Sequence, residues 1–371
     1  MKIFLIVTKS ETIINFRKGL IECLMSRGHE VSVIAHDEDR KEEALALGVD
    51  FYCVKQDNRG LNPFAFLRYK KDITKILEDN KPDIVFTFQV KPNTFGVQAA
   101  KAAKIENIYS MVEGAGDVFI DNSLKWKFVR FVVCALYKQS FKNAKKVFFL
   151  NNDDKAEFIA RKLVKEEQCE IIHGIGVDLE RFDFRPVKNY RTFLMVARML
   201  KTKGIFEYCE CARIVKKKYP DAVFNYLGAE GSVTLEDIKE YIDDGSINYL
   251  GTTSDVRPYL EDCTVMVLPS YREGMSMSTM EAEAIGRAII TSNAVGCRDT
   301  VVDGYNGFLV EINDYNSMAE KCIYIIEHKE EAVQMCDNSR KFAEEQFDKD
   351  VINEYVANIL DLQFANETVK I

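Results

Sequence analysis

The stretch "TVMVLPSYREGMSMSTMEAEAIGRAIITS" (264–292) reads as strand, loop, helix and strand. "TVMVLP" (264–269) and "AIITS" (288–292) are short, apolar and β-rich, and "EGMSMSTMEAEAIG" (273–286) between them holds a small-residue turn and a helix start. Two apolar runs joined by a helix form the repeating unit of a parallel sheet, whose strands are buried on both faces. Glu273 lies on the loop after the first strand, and Glu281 falls near the start of the helix. Ser278-Thr279-Met280-Glu281 has the spacing of a capping box, which accounts for Glu281 but leaves Glu273-Gly274 unexplained. A helix start attracts anions through its unpaired N–H groups. Two acids placed there suit a ligand with hydroxyls beside a phosphate: the helix end takes the phosphate and the carboxylates accept from the hydroxyls.

The same alternation runs outward through the whole chain. In the first half "KIFLIV" (2–7), "EVSVIA" (30–35), "DFYCV" (50–54), "DIVFTF" (83–88), "NIYSMV" (107–112), "KVFFL" (146–150) and "CEIIH" (169–173) read as strands. In the second half "TFLMVA" (192–197), "AVFNYL" (222–227), "INYLG" (247–251) and "GFLV" (307–310) join the two runs already quoted. Helical patterns such as "FRKGLIECLMSRG" (16–28) lie between, which makes the chain α/β with parallel sheets. The length of 371 residues suits two domains, and Pro186 in "LERFDFRPVKNY" (179–190) suits the linker. The expected division is 1–186, 187–345 and a terminal helix over 346–371 that returns to the first domain. Tandem sheets of this kind bind ligands at the carboxyl ends of their strands, so a cleft between the two domains is expected.

Composition narrows the class. The net charge of −8 is uneven: residues 1–188 hold 31 Lys+Arg against 27 Asp+Glu, and the remainder 19 against 31. An acidic half does not suit nucleic acid, whereas the basic half suits an anionic surface. The ten cysteines are scattered without a CxxC pair and there are four His, so buried thiols rather than a zinc site are expected. "MKIFLIVTKSE" is too short an apolar run for a secretory signal and no stretch reaches the roughly 20 apolar residues of a spanning helix, so a cytoplasmic chain is expected.

A cation source facing the two acids is the next requirement. "VARMLKTKG" (196–204) follows the first strand of the second half and puts Arg198 and Lys203 at a strand's carboxyl end, where they suit a diphosphate. With "HGIGVDLERF", "LG" at 227–228, and the run from "YLGTTSDVRPYL" through the quoted stretch to "GYNGFLV", this half resembles the retaining glycosyltransferases of family 4. The centre of the likeness is the E-x7-E of Glu273 and Glu281. The resemblance implies the GT-B fold, two Rossmann-like domains with parallel sheets facing across a cleft. It implies that Arg198 and Lys203 neutralise the donor diphosphate, that Glu281 binds the nucleotide ribose, and that Glu273 holds the donor sugar. Backbone groups of Gly274, Met275, Ser276, Met277 and Ser278 would meet sugar and phosphate, and those of Leu250 and Gly251 the base.

The first half resembles a narrower bacterial group through "LNPFAFL", "KPNTFGVQAAKAAKI", "VEGAGDVFIDN" and "VRFVVCALYKQSFKNA". That group comprises α-1,3-N-acetylgalactosaminyltransferases that act on undecaprenyl-diphospho-bacillosamine. The likeness implies a UDP-sugar donor, with GalNAc the first choice, and an acceptor saccharide on undecaprenyl diphosphate. Two features depart from the wider family. "TKSETIINFR" (8–17) lacks the glycine-rich loop that many members carry, and Glu113 stands where many have a His near the donor sugar. Glu113 is therefore a candidate for a catalytic-region hydroxyl contact, with a turn-capping role as the alternative. Lys91, with Asn93 and Thr94 beside it, is a candidate acceptor contact; the alternative for Lys91 is an exposed turn lysine.

The segment 122–146 contains seven Lys or Arg, no acidic residue and interleaved aromatics. Such a helix suits the interface of an anionic membrane, with Lys125, Trp126, Lys127 and Arg130 as contacts; a core helix with one solvated face is the alternative. The sequence expectation is thus a hexosyltransferase attached peripherally to the inner face of the cell membrane. It would use no cofactor and no metal, because Arg198, Lys203 and the helix end supply positive charge. Rival readings are a UDP-sugar 2-epimerase-like enzyme, a capsule or lipopolysaccharide hexosyltransferase with another donor, and a sugar-nucleotide sensor. A nicotinamide dehydrogenase is disfavoured, since "GAGDVF" and "GIGVDL" fail the GxGxxG spacing.

Overall fold

The computed structural model of the chain describes residues 1–55, 63–116, 119 and 123–368. Parts of "LNPFAFL" and of "VEGAGDVFIDN", and Asn122 at the head of the basic segment, lie outside the described residues. The first of two parallel sheets contains β1 (Lys2–Ile6), β2 (Glu30–Ala35), β3 (Asp50–Cys53), β4 (Ile84–Phe88), β5 (Asn107–Val112), β6 (Lys146–Phe149) and β7 (Cys169–Ile171). Its order is β3-β2-β1-β4-β5-β6-β7. The second contains β8 (Thr192–Val196), β9 (Val223–Leu227), β10 (Asn248–Tyr249), β11 (Val265–Leu268), β12 (Ala288–Ser292) and β13 (Gly307–Val310), in the order β10-β9-β8-β11-β12-β13. Every expected strand is present. Their continuous apolar character has the expected cause, since β4 and β12 are buried along their whole length.

The chain separates into two compact units, Met1–Ile175 with Asp350–Ile371, and Gly176–Lys349. These limits differ from the expected 186/187 and 345/346, and hydrogen bonding gives the reason. The Val177 amide donates to the Phe347 carbonyl at 2.7 Å, and the Arg185 amide to Ile285 at 3.0 Å. Arg340 Nη1 donates to the carbonyls of Phe182 and Ala284 at 2.9 and 2.8 Å. The stretch read as a linker is therefore part of the second unit. From Asp350 onward the helix Lys349–Thr368 belongs with the first unit. There Arg27 pairs with Glu354 and, at 2.7 Å, with Asp361, and Tyr355 donates to Glu170 at 3.1 Å.

Each sheet reverses its direction of growth once, between β1 and β4 in the first and between β8 and β11 in the second. At such a switch the connections leave toward opposite faces, which opens a crevice at the strands' carboxyl ends. The crossovers β3 to β4, β4 to β5 and β5 to β6 advance in one direction, so right-handed connections put their helices on one face. Helices Pro63–Asn80, Val97–Ala102 and Leu124–Phe141 accordingly pack side by side there. The core beneath them joins Phe4, Ile6 and Val85 of the sheet to Tyr69, Ile73, Leu77 and Val97 of the helices.

Candidate active site

The quoted stretch folds around the switch of the second sheet. β8 runs into a short helical turn, Lys201–Lys203, and β11 into the loop before the helix Met277–Ile285. Two bonds tie these loops together. The Tyr271 amide donates to the Thr202 carbonyl at 2.9 Å, and Ser270 Oγ to the same oxygen at 3.1 Å. Lys203 Nζ thereby meets the Glu273 carboxylate in an ion pair, with side chains 24% and 13% exposed. The Glu273 amide is held by the Val295 carbonyl at 2.9 Å. Behind it Gly296 adopts φ +70°, and a Cβ there would run into the Glu273 and Gly274 carbonyls. Only glycine fits so close an approach at that φ.

The helix cap corrects one reading. Ser276, not Ser278, is the N-cap: its Oγ accepts from the Thr279 amide at 3.3 Å. Glu281 therefore sits beyond the position a capping box needs and is free of that role. The amides of Met277 and Ser278 open the helix with no acceptor inside it, as at any helix start. Met275 is buried, so its contribution to a ligand is limited to backbone. Burial pushes the Glu281 carboxyl up to about 7, against the pull of Arg181 and with a further push from Asp255. Asp255 itself is held down to about 2 by its hydrogen bond to Arg257. Arg181 and Asp255 lie within the quoted runs "HGIGVDLERF" and "YLGTTSDVRPYL" but were not singled out there. Glu283, two residues on, is wholly buried, accepts from Asn306 Nδ2 at 2.9 Å, and is pushed by burial well above the usual carboxylate range.

Arg198 is not joined to this pair: its side chain is exposed and makes no ion pair among the described residues. Leu250 donates to the Tyr226 carbonyl and Gly251 accepts from Gly228, each at 2.8 Å, which fixes their turn beside β9.

In the first unit Glu113 follows β5 and pairs with Arg17, while its second oxygen accepts from Gln89 Nε2. Lys91 is half-buried, with its ammonium 5.5 Å from the centre of the Phe66 ring, so it is not the exposed turn lysine of the alternative reading. Asn93 and Thr94 are buried. Asn93 accepts from Thr87 at 2.7 Å and donates to Met111 at 2.8 Å, and Thr94 donates to Val90 at 2.8 Å. Their side chains therefore present no surface to an acceptor.

The helix Leu124–Phe141 buries Tyr137 and Phe141 but exposes Leu124, Phe128, Phe131 and Val132 at helical spacing. Lys125 and Lys127 are exposed beside this stripe, Trp126 is half-buried, and Arg130 lies 5.9 Å from the Phe119 ring centre. Farther along, Lys138 and Lys142 line a groove of about 850 Å³ with Lys162 and Lys165. Among the described residues no helix is long and apolar enough to cross a membrane.

Comparison with known proteins places this geometry. Residues 177–342 match the family model for glycosyl transferases group 1, and residues 2–151 match that for glycosyl transferase 4-like domains. The chain is 30% identical over 385 aligned positions, covering 99% of it and 100% of its relative, to the N,N'-diacetylbacillosaminyl-diphospho-undecaprenol α-1,3-N-acetylgalactosaminyltransferase of Campylobacter jejuni. It is 27% identical to the UDP-Gal:α-D-GlcNAc-diphosphoundecaprenol α-1,3-galactosyltransferase of Escherichia coli, over 83% of each chain. Among solved structures, Anabaena HepE in complex with UDP superposes with a TM-score of 0.80 at 16% identity, covering 97% of this chain and 100% of that one.

Proposed function

The chain belongs to the group 1 glycosyltransferases and has their GT-B fold, and from that premise we propose that it moves a sugar from a UDP-sugar to a saccharide carried on undecaprenyl diphosphate. The observation that carries the reading is the Lys203–Glu273 ion pair at the switch of the second sheet, beside the start of helix Met277–Ile285. It puts a cation, a carboxylate and a helix N-terminus in one crevice, the set a sugar diphosphate needs. Lys203 and the helix amides meet the diphosphate, Glu273 accepts from the sugar hydroxyls, and Glu281 accepts from the ribose. Arg198 adds a second cation, its exposed side chain being unengaged by any ion pair among the described residues.

The C–O bond to the donor phosphate breaks through an oxocarbenium-like state, and charge grows on the leaving diphosphate. Fixed positive groups aimed at that charge supply most of the stabilisation. We favour retention of configuration by a front-face course, in which a donor phosphate oxygen takes the proton of the incoming hydroxyl. With Arg198, Lys203 and the helix end supplying positive charge, no metal is required on this reading. The E. coli relative's donor is a UDP-hexose and the C. jejuni relative transfers GalNAc, which supports a UDP-sugar here with UDP-GalNAc as first choice. The exposed apolar stripe and the flanking lysines support docking on an anionic bilayer, where a lipid-linked acceptor would lie.

The test is a donor screen in EDTA, with each common UDP-sugar offered with and without short-chain polyprenyl-diphosphate saccharides while UDP release is followed. Acceptor-dependent release with one donor is the expected result. Conversion of the donor sugar with no acceptor present would instead identify an epimerase.

Two outcomes follow from the site. A Glu281 carboxyl raised to about 7 is half protonated near neutrality, and only its ionised form accepts from both ribose hydroxyls. Affinity for a UDP-sugar, whose doubly esterified diphosphate does not titrate in this range, should therefore rise about tenfold between pH 6 and pH 8, and calorimetric titration of Glu281→Gln should show a flat profile. Gly296→Ala should push the Glu273 loop off its seat at a cost of roughly 1–3 kcal/mol. A lower thermal midpoint with a raised donor KM is expected, and an unchanged donor KM would refute the seating.

A further inference from the structure

The first unit holds an ion pair, buried on its arginine side, that the reaction above does not employ. Arg17 ends the irregular helical turn Ile13–Arg17 after β1 and is only 2% exposed. Its guanidinium carbon lies 4.2 Å from the centre of the Phe88 ring. Nη1 donates to the Phe16 carbonyl at 3.1 Å, Nη2 faces Glu113 Oε1, and Nε has no partner among the described residues. Burial pushes the guanidinium down to about 9. Burial on this scale argues against a purely stabilising role, because replacing a buried ion pair by apolar side chains of equal volume is often neutral or favourable.

The partner carboxylate is held from a second side. Gln89, at the end of β4, donates through Nε2 to Glu113 Oε2 and accepts the Thr8 amide at 3.0 Å through Oε1. That Thr8–Gln89 bond bridges the ends of β1 and β4, the switch of the first sheet. Gln89 adopts φ +64°, a conformation few non-glycine residues take. Glu113 thus has both oxygens gripped while its side chain stays 21% exposed at the strands' carboxyl ends. A carboxylate has about four acceptor sites. Arg17 and Gln89 take two and leave the others for hydroxyls.

We propose that Arg17 is a positioning residue: with Gln89 it fixes Glu113 as an acceptor for hydroxyls of a sugar ring in the reacting complex. This rests on the transferase reading above. Arginine suits the role because its planar fork sets direction and stacks on Phe88, which a lysine ammonium cannot copy.

The test is a double-mutant cycle on kcat/KM for transfer, with UDP affinity measured in parallel. Glu113→Gln should lower transfer roughly 100-fold and leave UDP affinity unchanged, as expected for a lost charged contact in the transition state. Arg17→Met should lower it by a similar factor, and Arg17→Lys by less. The double variant Arg17→Met/Glu113→Gln holds neither charge and is expected to fold even where Arg17→Met alone does not. If Arg17 acts through Glu113, the double variant transfers no more slowly than Glu113→Gln. A further drop in the double variant, at equal thermal stability, would assign Arg17 an independent structural role and overturn the inference. Wild-type transfer by Glu113→Gln would remove the sugar contact while leaving the transferase reading intact.

Discussion

Glu273→Gln should cut the rate of sugar transfer by roughly two to three orders of magnitude while UDP binds as tightly as before or slightly tighter. The reasoning starts from the ligand-free geometry. Glu273 is 13% exposed and closes on Lys203, so each group neutralises the other until a donor arrives. A donor sugar would then draw the carboxylate and a diphosphate the ammonium. Glutamine keeps the shape and the Val295 bond to the main chain, so the fold should hold. Lys203 loses its counter-charge but stays within reach of water, and it becomes more available to phosphate. The loss should therefore appear in kcat. Lys203→Met should show the opposite balance, weakening UDP itself, because the diphosphate loses a cation. Stopped assays for kcat and calorimetry for UDP separate the two, and a near-normal kcat in Glu273→Gln would refute the sugar contact.

The meeting of Lys203 with Glu273 was legible because both lie in one ordered run of motifs. Lys203 follows β8, Glu273 follows β11, and the resemblance named both although they lie far apart in the chain. The strands were legible for a physical reason, since a parallel strand covered on both faces has to be apolar throughout. The helix cap was misread by two residues, because Ser276 and Ser278 both suit an N-cap and only the backbone path chooses between them. The segment 179–190 looked like a linker on the strength of one proline, yet the amides of Phe182 and Arg185 find acceptors inside the second unit. Asn93 and Thr94 were candidates because they stand beside Lys91. Their bonds to Thr87, Met111 and Val90 depend on a fold no local pattern reports. Arg17 left least trace of all. It sits in a stretch noted for its lack of glycine, and its meaning comes from Glu113, which another strand brings to it.

Reversing charge at Lys125 and Lys127 should lower partition onto anionic vesicles by at least thirtyfold at low salt, from about 1 kcal/mol of lost attraction per lysine. Both side chains are exposed, whereas Arg130 also packs over Phe119 and would confound the measurement. Replacing Phe128 and Phe131 with Ser tests the other half of the surface. Those rings are 69% and 72% exposed, so the change removes no core contact of consequence. Burying a Phe fully is worth about 1.5–3 kcal/mol, so the pair should lower partition by at least tenfold. The two sets must differ in salt response. At 1 M salt the Debye length falls to about 3 Å, so the lysine contribution should vanish and the Phe contribution should persist. A helix that merely shows a solvated face to water would respond to neither set. A helix held by charge alone would lose its binding in salt even with both rings intact, whereas insertion of the rings leaves a residual affinity for neutral vesicles that only the Phe replacements remove.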